Sequence, residues 1–393
     1  MLLKKKNILF LTSWFPNKKH PALGIFIQRH AEAAALYNNV TILFVCSYED
    51  SLLPVQNIQI KNIFQKDVTT ENNVFIVRVY YKKAFGFLKL IRYLKAHLIG
   101  YNEILKNNSR PDLVHLNVIS PAGIFGLWLN TFQKIPLVIS EHWSRYMPED
   151  GNYKGFWMKW LTKKTVKKTK AIITVSEKLK QAMVTHGLKG NYSVIPNAVN
   201  TKIFCPPQSP SKRGNVFRLF HISSLNDKEK NITGMLRSIK KLSEIRQDFS
   251  LEIAGESGDK KYFETMAVDL GLLNKYVFFK GSMDPLAVAE YMKNADAFIL
   301  FSNYETFSVV ITEVLACGLP VVSTRTGVAQ TAINETNGKT VDIGDEEAFV
   351  KAIMQVMENI NNYKPSQISK YAFDNFSYEK VGKQLTDIYN QTS

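Results

Sequence analysis

The stretch NYETFSVVITEVLACGLPVVST, residues 303–324, decides the fold. It places two carboxylates, Glu305 and Glu313, eight positions apart, between the β-rich runs AFILFS (297–302) and PVVST (320–324). Ser308 suits the cap of a helix over 308–316, with Thr306 an alternative. Gly318 is placed to end that helix, and Pro320 forbids its continuation. A helix beginning there directs the free N–H groups of Phe307, Ser308 and Val309, and the positive end of its dipole, at any nearby anion. Eight helical residues leave two side chains about 80° apart. Two acids attacking one bond from opposite sides fit that poorly. One acid at each end of a phosphate-bearing molecule fits better, each accepting hydrogen bonds from ligand hydroxyls. The alternative is a solvated loop acid and a solvated helix acid.

The strand–loop–helix–strand pattern extends in both directions. Upstream, 7–13, 39–47, 74–80, 112–117, 136–140 and 171–176 read as strands, with helices over 25–37, 86–106, 121–133 and 155–168. Their continuous apolar runs imply parallel strands covered on both faces. The pattern restarts with strands at 217–223, 250–255, 276–281, 297–302 and 320–324. Helices are expected at 231–245, 259–271, 285–293, 308–316 and 346–360, and a last one at 378–391. The Pro-rich segment 205–214 reads as a linker. At 393 residues, two α/β domains are expected, over 1–200 and 201–375, with 376–393 as a terminal helix. Two doubly wound sheets would hold a ligand in a cleft beyond their strand ends.

Charge separates the halves. Residues 1–200 carry 28 Lys and Arg against 11 Asp and Glu, net +17, whereas residues 201–393 are net −1. A basic half attracts nucleic acid, anionic lipid or a phosphorylated substrate. No RNA- or DNA-reading motif accompanies the charge, which argues against nucleic acid. No GxGxxG follows the first strand, which argues against a dehydrogenase. Three scattered cysteines suggest a reduced, cytoplasmic setting. The opening MLLKKKNILFLTSWFP runs into Trp14-Phe15-Pro16 without a cleavage site, so a buried strand is expected there. No Asp-x-Asp lies in a suitable loop, and no metal is expected. The segment 152–171 sets Phe156, Trp157, Trp160 and Leu161 beside Lys159, Lys163, Lys164, Lys167 and Lys168. That composition suits either a core helix with a solvated basic face or a helix lying on an anionic membrane.

The run SNYETFSVVITEVLACGLPVVSTRTG (302–327) resembles the signature of the retaining glycosyltransferases of group 4, the glycogen-synthase-like and sucrose-synthase-like enzymes of GT-B fold. Its marks here are Glu305, Glu313, Ala316, Gly318, Pro320, Val321 and Val322. SWFPNKKHPALGIF (13–26), SEH (140–142), VSE (175–177), VIPNAVN (194–200), AGESGD (254–259), FKGSM (279–283) and NGK (337–339) extend the resemblance over nearly the whole chain. It implies an α/β chain of two Rossmann-like domains, the first for the acceptor and the second for a nucleotide diphosphate sugar, UDP- or GDP-linked. It also implies that the terminal helix crosses back onto the first domain.

The resemblance further implies a division of roles. Glu305 contacts the donor sugar and Glu313 the ribose, while amides from Thr306 to Val309 hold the diphosphate. Lys230 offsets its charge, with Lys228 a neighbouring alternative. Gly24 lies close to acceptor and diphosphate, His142 at a strand end is placed to bond the donor sugar or the acceptor, and Ser224 and Gly255 lie on the nucleotide side. One departure stands out: the Gly-Arg expected after 217–222 is replaced by Ser223-Ser224. Expected partners are the donor, a glycan or lipid-linked acceptor in cell-surface polysaccharide synthesis, and an anionic membrane at the cytoplasmic face. A nucleotide-sugar 2-epimerase of the same fold is the competing enzyme.

Overall fold

A computed structural model describes residues 5–51, 62–208, 214–256 and 258–392. The chain forms two compact units, one of residues 1–198 with 378–393 and one of 199–377. The segment 205–214, read as a linker, lies partly outside the described residues, and its first residues belong to the second unit.

The first unit alternates β1 (Asn7–Thr12), α1 (Ile25–Ala35), β2 (Asn39–Ser47), α2 (Tyr48–Ser51), β3 (Phe64–Glu71), β4 (Val74–Tyr81), α3 (Gly86–Asn107), β5 (Leu113–Asn117), α4 (Gly123–Phe132), β6 (Leu137–Glu141), α5 (Phe156–Lys168), β7 (Ala171–Thr174), α6 (Glu177–Thr185) and β8 (Tyr192–Val194). The sheet order is β3-β4-β2-β1-β5-β6-β7-β8. All neighbours pair in parallel except β3, which is antiparallel to β4 at the edge. β3 is the one departure from an all-parallel sheet. Its sequence FQKDVTTE leaves most side chains exposed and shows none of the apolar continuity of the central strands. Connections run outward in both directions from the β1–β5 junction, the switch point where such sheets bind ligands.

β1 is fully buried beyond Asn7, as its apolar run requires. The terminal helix Tyr378–Gln391 packs on α1 within this unit. A Cβ on Gly382 would stand 2.1 Å from the carbonyl oxygen of Ala33, so only glycine permits the approach. Tyr389 is fully buried, and its hydroxyl lies 2.7 Å from His115 Nδ1. His115 Nε2 is in turn 2.7 Å from Ser140 Oγ, which makes this histidine a core residue.

The second unit runs β9 (Phe217–Ile222), α7 (Asp227–Lys230), α8 (Ile232–Ile245), β10 (Phe249–Ala254), α9 (Lys260–Asp269), β11 (Val277–Gly281), α10 (Pro285–Asn294), β12 (Ala297–Leu300), α11 (Val309–Ala316), β13 (Val321–Thr324), α12 (Ala329–Ala332), β14 (Gly338–Val341), α13 (Glu346–Glu358) and α14 (Pro365–Phe376). The order β11-β10-β9-β12-β13-β14 is parallel throughout, and its switch point lies between β9 and β12. Both units are therefore doubly wound α/β sheets. β14, α6 and α14 were not expected from sequence. β14 reads GKTV, with one apolar side chain, so it shows no apolar run to read.

Candidate active site

In the second unit the loops leaving β9 and β12 meet at the switch point. Glu305 follows β12 and is 7% exposed, so it is not a solvated loop acid. Its Oε1 accepts from Lys230 Nζ at 2.7 Å and from Ser302 Oγ at 2.8 Å. Lys230 is the last residue of α7, in the loop leaving β9. The neighbouring candidate Lys228 is exposed, and its carbonyl accepts from the Asn303 side chain. Together with the bond from Asn303 N to the Glu229 carbonyl, 2.8 Å, this laces the two loops.

Helix α11 starts one residue later than expected, at Val309. Ser308 occupies the cap position but does not cap. Its φ of 73° is left-handed, it makes no side-chain cap bond, and its Oγ is buried without a partner. Strain of that kind in a non-glycine residue persists where the surroundings enforce it, commonly at ligand sites. The first amides of α11 have no partner inside the helix, so an anion placed before Val309 meets N–H groups and the dipole together. The Phe307 carbonyl accepts from Val328 N at 2.7 Å, which fixes the turn. Gly327, at φ 51°, makes this fit possible. A Cβ there would stand 2.6 Å from the Phe307 oxygen and 2.7 Å from Glu305 Cβ. Glu313 lies in the second turn of α11 and is half-buried. Gly318, at φ 78°, ends α11 with Leu319 N bonded to the Val314 carbonyl at 3.2 Å.

The loop after β9 is shaped by a histidine. His221 is fully buried; its Nδ1 faces the Ile299 carbonyl at 2.9 Å and its Nε2 faces Ser223 Oγ at 2.9 Å. A carbonyl only accepts, so Nδ1 carries the proton and Nε2 accepts from the serine hydroxyl. Ser223 Oγ then accepts from Leu225 N at 3.1 Å, holding the turn. Burial lowers the His221 pKa to about 4, so the ring is neutral near pH 7. Ser224 is exposed in this loop. Gly255, at φ 124°, follows β10. A Cβ there would stand 2.0 Å from the Ser223 oxygen, so the β9 and β10 loops approach backbone to backbone.

Ser302 is a site residue that the sequence reading did not single out, and His221, the buried strand residue its setting suggests, also shapes the loop. Ser302 carried a signal, ending a β run three residues before Glu305. Nothing in the sequence marks His221 as a loop-shaping residue, because its partners lie on β12 and in the loop.

The first unit brings other groups to the carboxyl ends of β1, β5 and β6. Gly24 caps α1 at φ 68°, and a Cβ there would stand 2.5 Å from the Trp14 carbonyl oxygen. His142 follows β6, 7% exposed, packed against Phe26 with ring centroids 4.6 Å apart and His30 at 5.4 Å. Neither ring nitrogen makes a hydrogen bond within the protein. Burial pushes its pKa well below the ordinary value, aided by His30 and His115, and the nearby Asn197 side chain opposes this only weakly. Glu141 beside it is structural. Its oxygens accept from the amides of Ile119, His142 and Trp143 and from the Tyr146 hydroxyl, at 3.0–3.2 Å. Gly24 and His142 thus belong to one unit, and Lys230, Ser224, Gly255, Glu305 to Val309 and Glu313 to the other. Among the described residues no three His, Cys, Asp or Glu side chains cluster as a metal site, and no helix is long and apolar enough to cross a membrane.

Comparison with known proteins joins this geometry to a family. Residues 32–203 match the profile of Glycosyltransferase Family 4, and residues 207–374 that of Glycosyl transferases group 1. An uncharacterized glycosyltransferase of Methanocaldococcus jannaschii is 26% identical over 324 residues, spanning 82% of this chain and 86% of that protein. A Bacillus subtilis glycosyltransferase whose name assigns it to teichuronic acid biosynthesis is 24% identical over 393 residues, spanning 96% and 94%. The fold is that of sucrose-phosphate synthase from Thermosynechococcus elongatus, with TM-score 0.74, 16% identity and coverage of 98% and 99%. It is also that of Anabaena HepE solved with UDP and glucose, with TM-score 0.71, 17% identity and coverage of 98% and 100%. With one glycosyltransferase profile on each half of the chain and a doubly wound sheet in each unit, this protein belongs to the GT-B type glycosyltransferase superfamily.

Proposed function

We propose that the chain transfers a sugar from a nucleotide diphosphate sugar to a hydroxyl of a glycan or lipid-linked acceptor, with retention at the anomeric carbon, in cell-surface polysaccharide synthesis. The observation that carries this reading is the Lys230–Glu305 pair beside the start of α11. Glu305 accepts from sugar hydroxyls, and Glu313 from ribose hydroxyls further along the helix. The amides of Thr306 to Val309 receive the diphosphate. Lys230, held at the same point, neutralises charge as the diphosphate leaves. Ser224 and Gly255 line the nucleotide side. UDP and GDP are the donor bases to test first.

The acceptor is assigned to the first unit, at the strand ends that carry Gly24 and His142. A neutral His142 with unpaired ring nitrogens can orient an acceptor hydroxyl. Retention follows if the acceptor attacks on the face the diphosphate leaves, and the leaving phosphate oxygen takes the hydroxyl proton. Helix α5 supports a peripheral place at the cytoplasmic side of a membrane. Phe156 and Trp157 are 72% and 76% exposed, and Lys159, Lys163, Lys164 and Lys167 accompany them on its exposed surface.

Proton NMR of the first-formed product from a nucleotide sugar and an alkyl glycoside acceptor tests this. The anomeric coupling of the donor is expected in the product. An inverted anomer removes the mechanism, and conversion of the donor without acceptor favours the 2-epimerase.

A further inference from the structure

The amino ends of the first unit's strands enclose a cavity of about 650 Å³. It lies beneath the starts of β1, β2 and β4, against the last turns of α1 and α3. Gly24 and His142 stand at the other end of the same sheet, and the six residues of β1 separate the two ends by about 20 Å. Small-ligand sites span roughly 300–1,000 Å³, and this cavity falls within that range.

Five of its lining side chains are asparagines: Asn7, Asn38, Asn39, Asn73 and Asn108. Thr41, Thr70 and Ser109 add hydroxyls, and among the described residues Lys5 is the one charged side chain that lines it. The amides are only half engaged. Asn39 Nδ2 donates to Asn7 Oδ1 at 3.0 Å, which leaves the Asn7 amide hydrogens and the Asn39 carbonyl for another partner. Asn108 Nδ2 donates to Thr41 Oγ1 at 3.1 Å, which leaves the Asn108 carbonyl and the Thr41 hydroxyl hydrogen. Each pair offers a donor and an acceptor together, and a sugar hydroxyl is both. Buried Ile8, Val40 and Ile104, with the half-buried Phe75 ring, supply an apolar wall for the C–H face of a sugar. α1 and α3 turn their carboxyl ends to this space, and their dipoles disfavour an anion there.

We propose that this cavity binds a neutral oligosaccharide, at a site separate from the strand ends assigned to the acceptor. It would retain a glycan chain whose end reacts elsewhere; that consequence rests on the glycosyl-transfer reading, whereas the binding does not.

The full chain is titrated calorimetrically with maltohexaose, cellohexaose and laminarihexaose, and with hexagalacturonate as an acidic counterpart. At least one neutral hexasaccharide binds saturably with a Kd of about 1 mM or tighter, and hexagalacturonate binds about 10-fold more weakly or worse. The double variant Asn73→Gly, Asn108→Ala removes two amides from exposed positions, and glycine keeps the left-handed φ of 62° that Asn73 adopts. It binds the same hexasaccharide about 10-fold more weakly, while the rise in melting temperature with a nucleotide sugar matches the wild type.

No binding of any neutral hexasaccharide, equal binding of the acidic one, or unchanged affinity in the variant overturns the proposal. Should the double variant fail to fold, Asn73→Gly decides alone. Failure of every nucleotide sugar to raise the wild-type melting temperature sinks the transfer reading instead and leaves the glycan titration standing.

Discussion

Lys230 and Glu305 form a 2.7 Å ion pair across the switch point of the second unit, with side chains only 16% and 8% exposed. A pair so withdrawn from water makes each partner depend on the other. Lys230→Ala removes the cation that answers Glu305 and leaves it the hydroxyl of Ser302, at a cost of about 3 kcal/mol in unfolding free energy. The double variant Lys230→Ala, Glu305→Gln recovers about half of that in urea titrations. Strict additivity of the two changes would mean that the pair is not coupled. Turnover of Lys230→Ala falls about 100-fold, the cost typical of removing one electrostatic donor at a developing charge.

The two acids separate kinetically. Glu313→Gln raises the donor KM about 10-fold with little change in kcat, whereas Glu305→Gln lowers kcat about 100-fold at nearly constant KM. Steady-state kinetics with saturating acceptor distinguish the two. Identical profiles for both variants would contradict separate roles for sugar and ribose.

Gly327→Ala pushes a methyl group into Glu305 Cβ and the Phe307 carbonyl, at a backbone φ of 51°. Destabilisation above about 1 kcal/mol is expected, with donor affinity lost in the protein that remains folded. Gly344→Ala is the control. Its φ is 79°, but a Cβ there meets nothing, so it carries the backbone penalty without the clash.

Stability falls as the solution is acidified below neutrality. His30, His97 and His221 are fully buried, and burial lowers each pKa from 6.5 to about 4. The unfolded chain binds these protons first. Each ring therefore contributes stability above pH 6.5 that is lost between about pH 6.5 and 4, at about 1.4 kcal/mol per pH unit. Denaturant titrations at pH 7.5, 6 and 5 measure the slope. His97→Asn removes one histidine's share, and a slope unchanged in that variant would contradict the assignment.

Replacing Trp157 with Glu places a charge among the exposed rings of α5. Flotation of the protein with anionic vesicles at low salt drops several-fold in this variant, because burying a carboxylate at the interface is unfavourable where burying an indole is favourable. Wild-type protein that does not float would remove the membrane from the account.

Where chemistry and chain coincide, the sequence was legible. Glu305, Ser308 and Gly318 announce a loop, a helix start and a helix end by residue type, and the strands that carry the second unit's switch point, FRLFHI and AFIL, show their apolar character. The cap at Ser308 was misread. Residue type suggested a side-chain cap, but the turn that Gly327 and Phe307 impose holds Ser308 in left-handed backbone, and its hydroxyl makes no cap bond. The role of His221 was invisible because the Ile299 carbonyl that fixes its ring lies on a strand that only the folded sheet makes adjacent, and residue type alone does not announce the local Ser302–Glu305 and His221–Ser223 bonds. β14, with one apolar side chain in GKTV, and the exposed edge strand β3 left no pattern to find.

The central claim is that the segment from Ser302 to Glu313, with Lys230, holds a nucleotide diphosphate sugar. Calorimetric titration of wild type and Glu313→Gln with UDP-, GDP- and ADP-sugars tests it most directly. Saturable one-to-one binding of at least one donor by wild type, weakened about 10-fold by Glu313→Gln, is the predicted result. Absence of binding to every nucleotide sugar, or equal affinity in the variant, would contradict it.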